Sequence, residues 1–248
     1  MLRTILFYTH FWLTLILSSP LILLYVALMP FGLHRAFRGL LGSGARAWAR
    51  AVVWATGAAV TVVGAENVPK SGGVCLVGNH QGSMEIPIVI ATLPRTPGFI
   101  TKYEALFMPF LNLWILALGG VFIHRNSARK ARAAIERGAQ RLREGAVMII
   151  YPEGTRSRGD RIGVFKPGSF KLATLAGVPI VPVTVDGSWR VWEEHKRIRP
   201  APIRVTMHPP IATAGLSAEE RKALPERVRA VIASALPACA ALAPGDED

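Results

Sequence analysis

The chain has 248 residues, 51% of them hydrophobic, with 29 Lys and Arg against 16 Asp and Glu and a formal net charge of +13. That length suits one sizeable α/β domain with an appendage, and a composition both basic and apolar points to a lipid bilayer surface. Nucleic acid is not expected as a partner, because no zinc-ligand spacing, aromatic RNP-like run or recognition helix accompanies the arginines. Cys75 and Cys239, far apart and without a CxxC partner, exclude a disulfide framework and a cysteine metal site. Cys75 lies inside the apolar run 74–77 and reads as a buried structural thiol.

From Thr4 to Met29 there is no Asp, Glu, Lys or Arg. At about 1.5 Å per residue a helix of that extent exceeds the roughly 30 Å hydrocarbon core, so a membrane segment is expected. Pro20, after Ser18 and Ser19, is expected to break or kink it, which leaves a bent span and a helical hairpin in one leaflet both open. Arg35, Arg38, Arg46 and Arg50 follow the segment while only Arg3 precedes it. The positive-inside rule then places the remainder on the cytoplasmic face of the inner (plasma) membrane. A second helix is expected over residues 45–59, with Trp48 and Trp54 beside arginines; it suits either the headgroup level or the cover of a sheet. The expected division is a membrane-associated helical region over 1–58, an α/β domain over 59–215, and a C-terminal helix with a frayed tail over 216–248.

After Gly64 the punctuation becomes that of an α/β domain. Strands are expected at 60–63, 74–77, 99–101, 120–123, 147–151, 180–185 and 203–207, with the first two joined through the 69–73 turn. A helix over 86–93 takes Ser83 as its N-cap and ends at Pro94. The clearest helix runs over 127–143, where Ala128, Ala131, Ile135 and Leu142 form an apolar stripe. Its other faces carry Arg129, Lys130, Arg132, Arg137, Arg141 and Arg143, as a solvated surface or as a contact for lipid phosphates or an anionic donor. A surface helix is expected over 217–236. The resulting fold is a single α/β domain with a mixed or largely parallel central sheet flanked by helices, and such folds carry their chemistry on loops at the sheet's C-terminal edge.

Two loops leave apolar strands with reactive residues. Gly78-Asn79-His80-Gln81-Gly82-Ser83-Met84-Glu85 sets a histidine and a carboxylate on one turn, and a carboxylate can orient an imidazole that takes a proton. Pro152-Glu153-Gly154-Thr155-Arg156 supplies a guanidinium, the planar fork suited to phosphate. No GxSxG elbow appears, so a serine nucleophile is disfavoured. The histidines form no compact ligand set and no P-loop is present, so neither a metal nor nucleotide hydrolysis is expected.

Four blocks in order carry a family resemblance. They are Asn79-His80 with Glu85; Lys102 and Glu104 through Pro109 to Gly120-Val121-Phe122-Ile123-His124-Arg125; Pro152-Glu153-Gly154-Thr155-Arg156-Ser157 through Phe165-Lys166-Pro167-Gly168; and Val178-Pro179-Ile180-Val181-Pro182-Val183. Over roughly 60–185 the chain resembles the glycerolipid acyltransferases, specifically the 1-acylglycerol-3-phosphate acyltransferases. The departure is Glu85, where the family pattern usually has Asp.

The resemblance implies transfer of an acyl group from a thioester, acyl-CoA or acyl carrier protein, to the free hydroxyl of lysophosphatidic acid, with no cofactor. His80 becomes the base and Glu85 its orienter. Arg156 and Lys102 become the phosphate holders with Arg125 close behind, and Glu153, Gly154 and Thr155 line the acceptor end. Arg158, Lys166 and Pro182 fall on the donor side. Two rival readings are another lysolipid acceptor such as a lyso-ornithine lipid, and a non-catalytic lipid-binding relative.

Overall fold

The computed structural model describes residues 1–237; Cys239 and the expected frayed tail lie outside the described residues. Seven strands are named in chain order: β1 (Ala59–Val63), β2 (Val74–Gly78), β3 (Gly98–Lys102), β4 (Val121–Ile123), β5 (Val147–Ile150), β6 (Ile180–Asp186) and β7 (Pro202–Met207). They form one sheet in the order β1-β7-β6-β2-β5-β3-β4. β6, β2, β5, β3 and β4 are mutually parallel, whereas β7 runs antiparallel to β6 and carries β1 parallel to itself. The sheet is therefore mixed and largely parallel. β1 and β2, consecutive in sequence, are separated by β7 and β6, so the 69–73 turn joins strands that do not pair.

The helices are α1 (Leu2–Ala27), α2 (Arg38–Thr56), α3 (Glu85–Thr92), α4 (Leu111–Ala117), α5 (Ala128–Arg143), α6 (Lys171–Ala176) and α7 (Ala218–Ala233). Two apolar clusters lie on the two faces of the sheet, as expected where strands read as unbroken apolar runs. One joins Leu76, Ile149, Val181 and Val205 to Ile88 and Val89 of α3, Ala45, Ala49 and Val52 of α2 and Phe7 of α1. The other joins Cys75, Val77, Met148 and Ile180 to Ala134, Ile135 and Leu142 of α5, Leu172 of α6 and Leu224, Val228 and Ile232 of α7. Burial pushes the Cys75 thiol up to about 12, consistent with an inert core residue.

α1 is long and apolar enough to cross a membrane, and the break expected at Pro20 does not occur. Proline cannot donate to the carbonyl four residues back, and here the Ser19 hydroxyl donates to that Ile16 carbonyl at 2.7 Å. Three polar side chains of α1, Thr4, Thr14 and Ser18, turn toward the domain. Ile198 N–H donates to Thr4 Oγ1 at 3.0 Å, Trp48 Nε1 donates to Thr14 Oγ1 at 2.9 Å, and Trp114 Nε1 donates to Ser18 Oγ at 3.0 Å. Its opposite side leaves Ile5, Leu6, Leu13, Leu17, Leu21 and Leu24 exposed. α2 begins seven residues before the expected start of residue 45, at Arg38, and covers the sheet through α3.

Candidate active site

Because β2, β3, β4, β5 and β6 run the same way, the loops that follow them open on one rim of the sheet. β2 ends at Gly78 and the chain turns through His80 into α3. Asn79 fixes that turn to the neighbouring strand: its amide donates to the Val185 carbonyl at 2.9 Å and accepts from Val185 N–H at 2.8 Å.

His80 Nδ1 lies 2.5 Å from Glu85 Oε2. The carboxylate is fully buried, while one fifth of the histidine side chain is exposed. A carboxylate oxygen at that distance accepts the Nδ1 proton, which leaves Nε2 bare to take another. The second carboxylate oxygen accepts from Gln81 N–H, from Gly82 N–H at 2.8 Å and from the buried Ser188 hydroxyl at 2.9 Å. With four partners across its two oxygens, Glu85 is held in one orientation. Ser83 is not the cap of α3: no side chain caps its N-cap residue Met84. The Glu85 carboxylate, in the first turn of α3, accepts from the Gln81 and Gly82 amides of the preceding turn, so one group both fixes the loop that leads into the helix and orients the histidine.

The Tyr151 ring stacks on the His80 ring at 4.4 Å. Burial raises the Tyr151 phenol well above 10, with the Glu85 charge adding to it, so it stays neutral. A side chain at Gly78 would bring its Cβ to 3.0 Å from Tyr151 Cε1, which accounts for glycine there.

The loop after β5 is bonded directly to the histidine loop. His80 N–H donates to Glu153 Oε1 at 2.7 Å, Ser157 N–H to the His80 carbonyl at 2.8 Å and Arg158 N–H to the Gln81 carbonyl at 3.0 Å. Glu153, expected to line the acceptor end, is buried, and its other oxygen accepts from Gly163 N–H at 2.9 Å. It shapes the rim by tying the His80 loop to two points of the loop after β5. Burial raises the Glu153 carboxyl to about 7, overcoming the lowering by the Gly163 and His80 amides.

Arg156 stands on the rim about half exposed, and its guanidinium lies 3.6 Å from Glu193 Oε1. Glu193 is thus an ion-pair partner of Arg156. Glu193 is buried and also accepts from Ser83 N–H at 2.7 Å. Lys102 ends β3 and pairs with Glu104 at 3.0 Å. Arg125 follows β4 and donates to the Gly154 carbonyl, bridging the β4 and β5 loops. Gly154 takes φ +74°, and a Cβ there would meet Lys166 Nζ at 3.0 Å, so Lys166 joins the same rim. Thr155 is exposed beside Arg156, and Arg158 is exposed with φ +57°. Pro182 is buried in the interior strand β6, in register with Val77. Its carbonyl accepts from His208 N–H where the β6–β7 ladder begins, so its missing N–H faces the end of β7 rather than a paired residue. Among the described residues no group of three or more His, Cys, Asp or Glu is placed to hold a metal.

Ser188 and Glu193 were not singled out in the sequence. They lie just after β6, beyond the φ +87° turn at Gly187, and the rule that chemistry gathers after parallel strands applies to that loop as much as to the loops after β2 and β5.

The structure is a mixed α/β fold whose rim holds a carboxylate-oriented histidine beside cationic side chains. The acyltransferase family model matches residues 59–186, and the chain belongs to that family. It is 39% identical over 140 residues to a 1-acyl-sn-glycerol-3-phosphate acyltransferase of Borreliella burgdorferi, covering 56% of this chain and 56% of that protein. It is 33% identical over 175 residues to 1-acyl-sn-glycerol-3-phosphate acyltransferase alpha of Homo sapiens, covering 70% of this chain and 62% of that one. The chain thus spans a little over half the length of these curated relatives. The crystal structure of the 1-acyl-sn-glycerophosphate acyltransferase PlsC of Thermotoga maritima superposes with a TM-score of 0.77 at 27% identity, covering 93% of each chain.

Proposed function

We propose that the protein transfers a fatty acyl group from a thioester donor, acyl-CoA or acyl carrier protein, to the free hydroxyl of lysophosphatidic acid, giving phosphatidic acid. The observation that carries this reading is the buried Glu85 carboxylate 2.5 Å from His80 Nδ1, on a loop bonded to the loop that bears Arg156. The names of the relatives support the acceptor.

In this reaction His80 Nε2 removes the hydroxyl proton as the oxygen attacks the thioester carbonyl carbon. Glu85 stabilises the imidazolium, as an orienting carboxylate does in hydrolytic triads. Collapse of the tetrahedral intermediate breaks the C–S bond, and the imidazolium returns its proton to the leaving thiolate. No acyl-enzyme and no cofactor are required. Arg156, Lys102 and Arg125 hold the acceptor phosphate, with Gly154 and Thr155 beside it, and Glu153 holds their loop in place. Lys166 and Arg158 face the donor's phosphates, and Pro182 acts only through the packing beneath that side.

The membrane association follows from α1. Thr4, Thr14 and Ser18 are bonded to the domain along its length while its other side is mostly apolar, so a span perpendicular to the bilayer would draw Trp48 and Trp114 and their domain into hydrocarbon. α1 lies in the cytoplasmic surface of the inner membrane with its apolar side down, and the rim receives its lipid from that surface.

The test is incorporation of labelled acyl chain by purified protein across lysophosphatidic acid and phosphate-free lysolipids. His80→Ala abolishes incorporation, and Arg156→Ala raises the KM for the phosphate-bearing acceptor about tenfold or more while leaving the others nearly unchanged. Equal background from wild type and His80→Ala on every acceptor would end the enzymatic reading.

A further inference from the structure

A cavity of about 710 Å³ lies away from His80. Its lining includes Arg95 and Thr96 ahead of β3, Leu118 and Gly119 ahead of β4, and the 145–147 stretch that enters β5. These are the N-terminal ends of the parallel strands, so the cavity opens at the opposite end of the sheet from the active-site rim. It is closed by the end of α1 at Tyr25 and Met29 and by the start of α2.

Six arginines line it: Arg35, Arg38, Arg46, Arg95, Arg137 and Arg141, against one carboxylate, Glu144. Among the described residues none of the six makes an ion pair. Three have neutral partners, Arg38 bonding the Tyr25 hydroxyl in the cavity wall. Arg95 donates to the Pro69, Gly72 and Gly145 carbonyls and Arg46 donates to Thr96 Oγ1. Arg137 and Arg141 lie one turn apart on α5, a like-charge spacing that a helix does not favour by itself. The field they make is felt by neighbours. Burial lowers the Arg141 guanidinium, with Glu144 raising it and Arg137 lowering it in turn, and His34 in the wall is lowered by burial and then by Arg38 and Arg35. His34 Nδ1 is buried without a hydrogen-bond partner.

The flank of this cavity is apolar. Leu21 and Leu24 of α1 and Phe31, Leu33, Phe37 and Leu40 beyond it are exposed, and Met29, Leu41 and Ala117 continue that surface into the lining. Unmatched guanidinium groups beside a greasy flank suit an amphiphile with an anionic head.

We propose that the cavity holds the head group of an anionic glycerophospholipid of the bilayer, with its phosphate among Arg35, Arg38, Arg137 and Arg141 and its acyl chains along the exposed side chains of α1 and the 31–40 segment. This second lipid site is separate from the acceptor site and rests on the reading that α1 lies in the bilayer surface. It makes the anionic content of the membrane a determinant of where the protein docks.

The experiment is vesicle co-flotation of the purified full chain, with phosphatidylcholine alone and with phosphatidylglycerol added. Wild type floats with both and partitions about tenfold more strongly to the anionic vesicles. The triple variant Arg35→Gln/Arg38→Gln/Arg137→Gln keeps its phosphatidylcholine partition and loses most of the anionic gain, with acyl transfer to a soluble short-chain acceptor unchanged. A charge-matched control, Arg221→Gln/Lys222→Gln/Arg227→Gln on α7, retains the gain. Equal losses in the two variants would show net charge alone and overturn the site. Removal of the gain by inorganic phosphate, but not by chloride at matched ionic strength, would assign the cavity to free phosphate and overturn the lipid. No flotation with either vesicle would end the bilayer reading and the proposal together, whereas flotation without an anionic gain would end only the proposal.

Discussion

Glu85 carries two loads that a shorter side chain divides. One oxygen reaches His80 Nδ1 and the other collects two backbone amides and the Ser188 hydroxyl. Removing one methylene withdraws the carboxylate by about 1 Å, a displacement that catalytic placement registers strongly. Glu85→Asp is therefore expected to lower kcat about tenfold or more with little change in KM. Ser188→Ala, which removes one of three donors, is expected to cost about threefold to tenfold. Single-turnover rates and KM measured for both variants check this, and an Asp variant as fast as wild type would dismiss the fit of Glu85 to its donors. Glu153 makes a prediction of a different kind. Its folded-state value of about 7 lies above its ordinary 4.5, so the folded state holds the proton more tightly. The contribution to stability is then full below pH 4.5 and is lost as pH rises through 7, by something on the order of 3 kcal/mol. The fall in Tm between about pH 5 and about pH 8 should be smaller in Glu153→Gln than in wild type, and equal falls would exclude Glu153 as its source. His80 and Glu85 were legible because their spacing and the resemblance both marked them. The Glu193 pairing of Arg156 was not, because it depends on a residue 37 positions away that only the fold brings close.

The elements were legible where local chemistry decides them. Ser127 accepts from Lys130 N–H to start α5, but of the expected stripe only Ile135 and Leu142 are buried: Ala128 is exposed, Ala131 half-buried, and Ala134, Gly138 and Ala139 complete the buried side. α7 was read as a surface helix, yet Leu224, Pro225, Val228 and Ile232 are buried against the sheet, because alanine and charge in alternation obscure a stripe only four residues wide. Its start is set by a reciprocal capping box between Ser217 and Glu220. Ser217→Ala removes one half of that exchange and should cost about 1 kcal/mol, a Tm lowered by about 2–4 °C for a chain of this size. Thermal denaturation checks it, with Ser234→Ala, near the other end of the helix, as the comparison. Ser83 is not the cap because α3 begins a residue later, with Met84 at the N-cap and no side-chain cap.

The strand order was outside the reach of the sequence. Nothing local says that β7 inserts between β1 and β6, since that order is fixed by which faces α2, α3, α5 and α7 cover. The long apolar segment was legible as such, but its bearing toward the domain was not, because Thr14 and Ser18 look innocuous until Trp48 and Trp114 reach them. The proposed in-plane α1 predicts shallow insertion. A fluorophore at Leu13→Cys and one at Leu21→Cys should be quenched to similar extents by lipid brominated near the headgroup, whereas a spanning helix would place the two at different depths.

The bonds between the β2 and β5 loops also bear on how such a protein changes during evolution. His80 is bonded to Glu153 and Ser157 and the neighbouring Gln81 to Arg158, so a substitution that reshapes the Arg156 loop disturbs the proton acceptor in the same move. Lys102 stands outside that bonded unit and Arg125 touches it through a single carbonyl. New acceptor preferences are therefore expected to arise through the loops after β3 and β4, leaving the His80 and Arg156 loops to vary together or not at all.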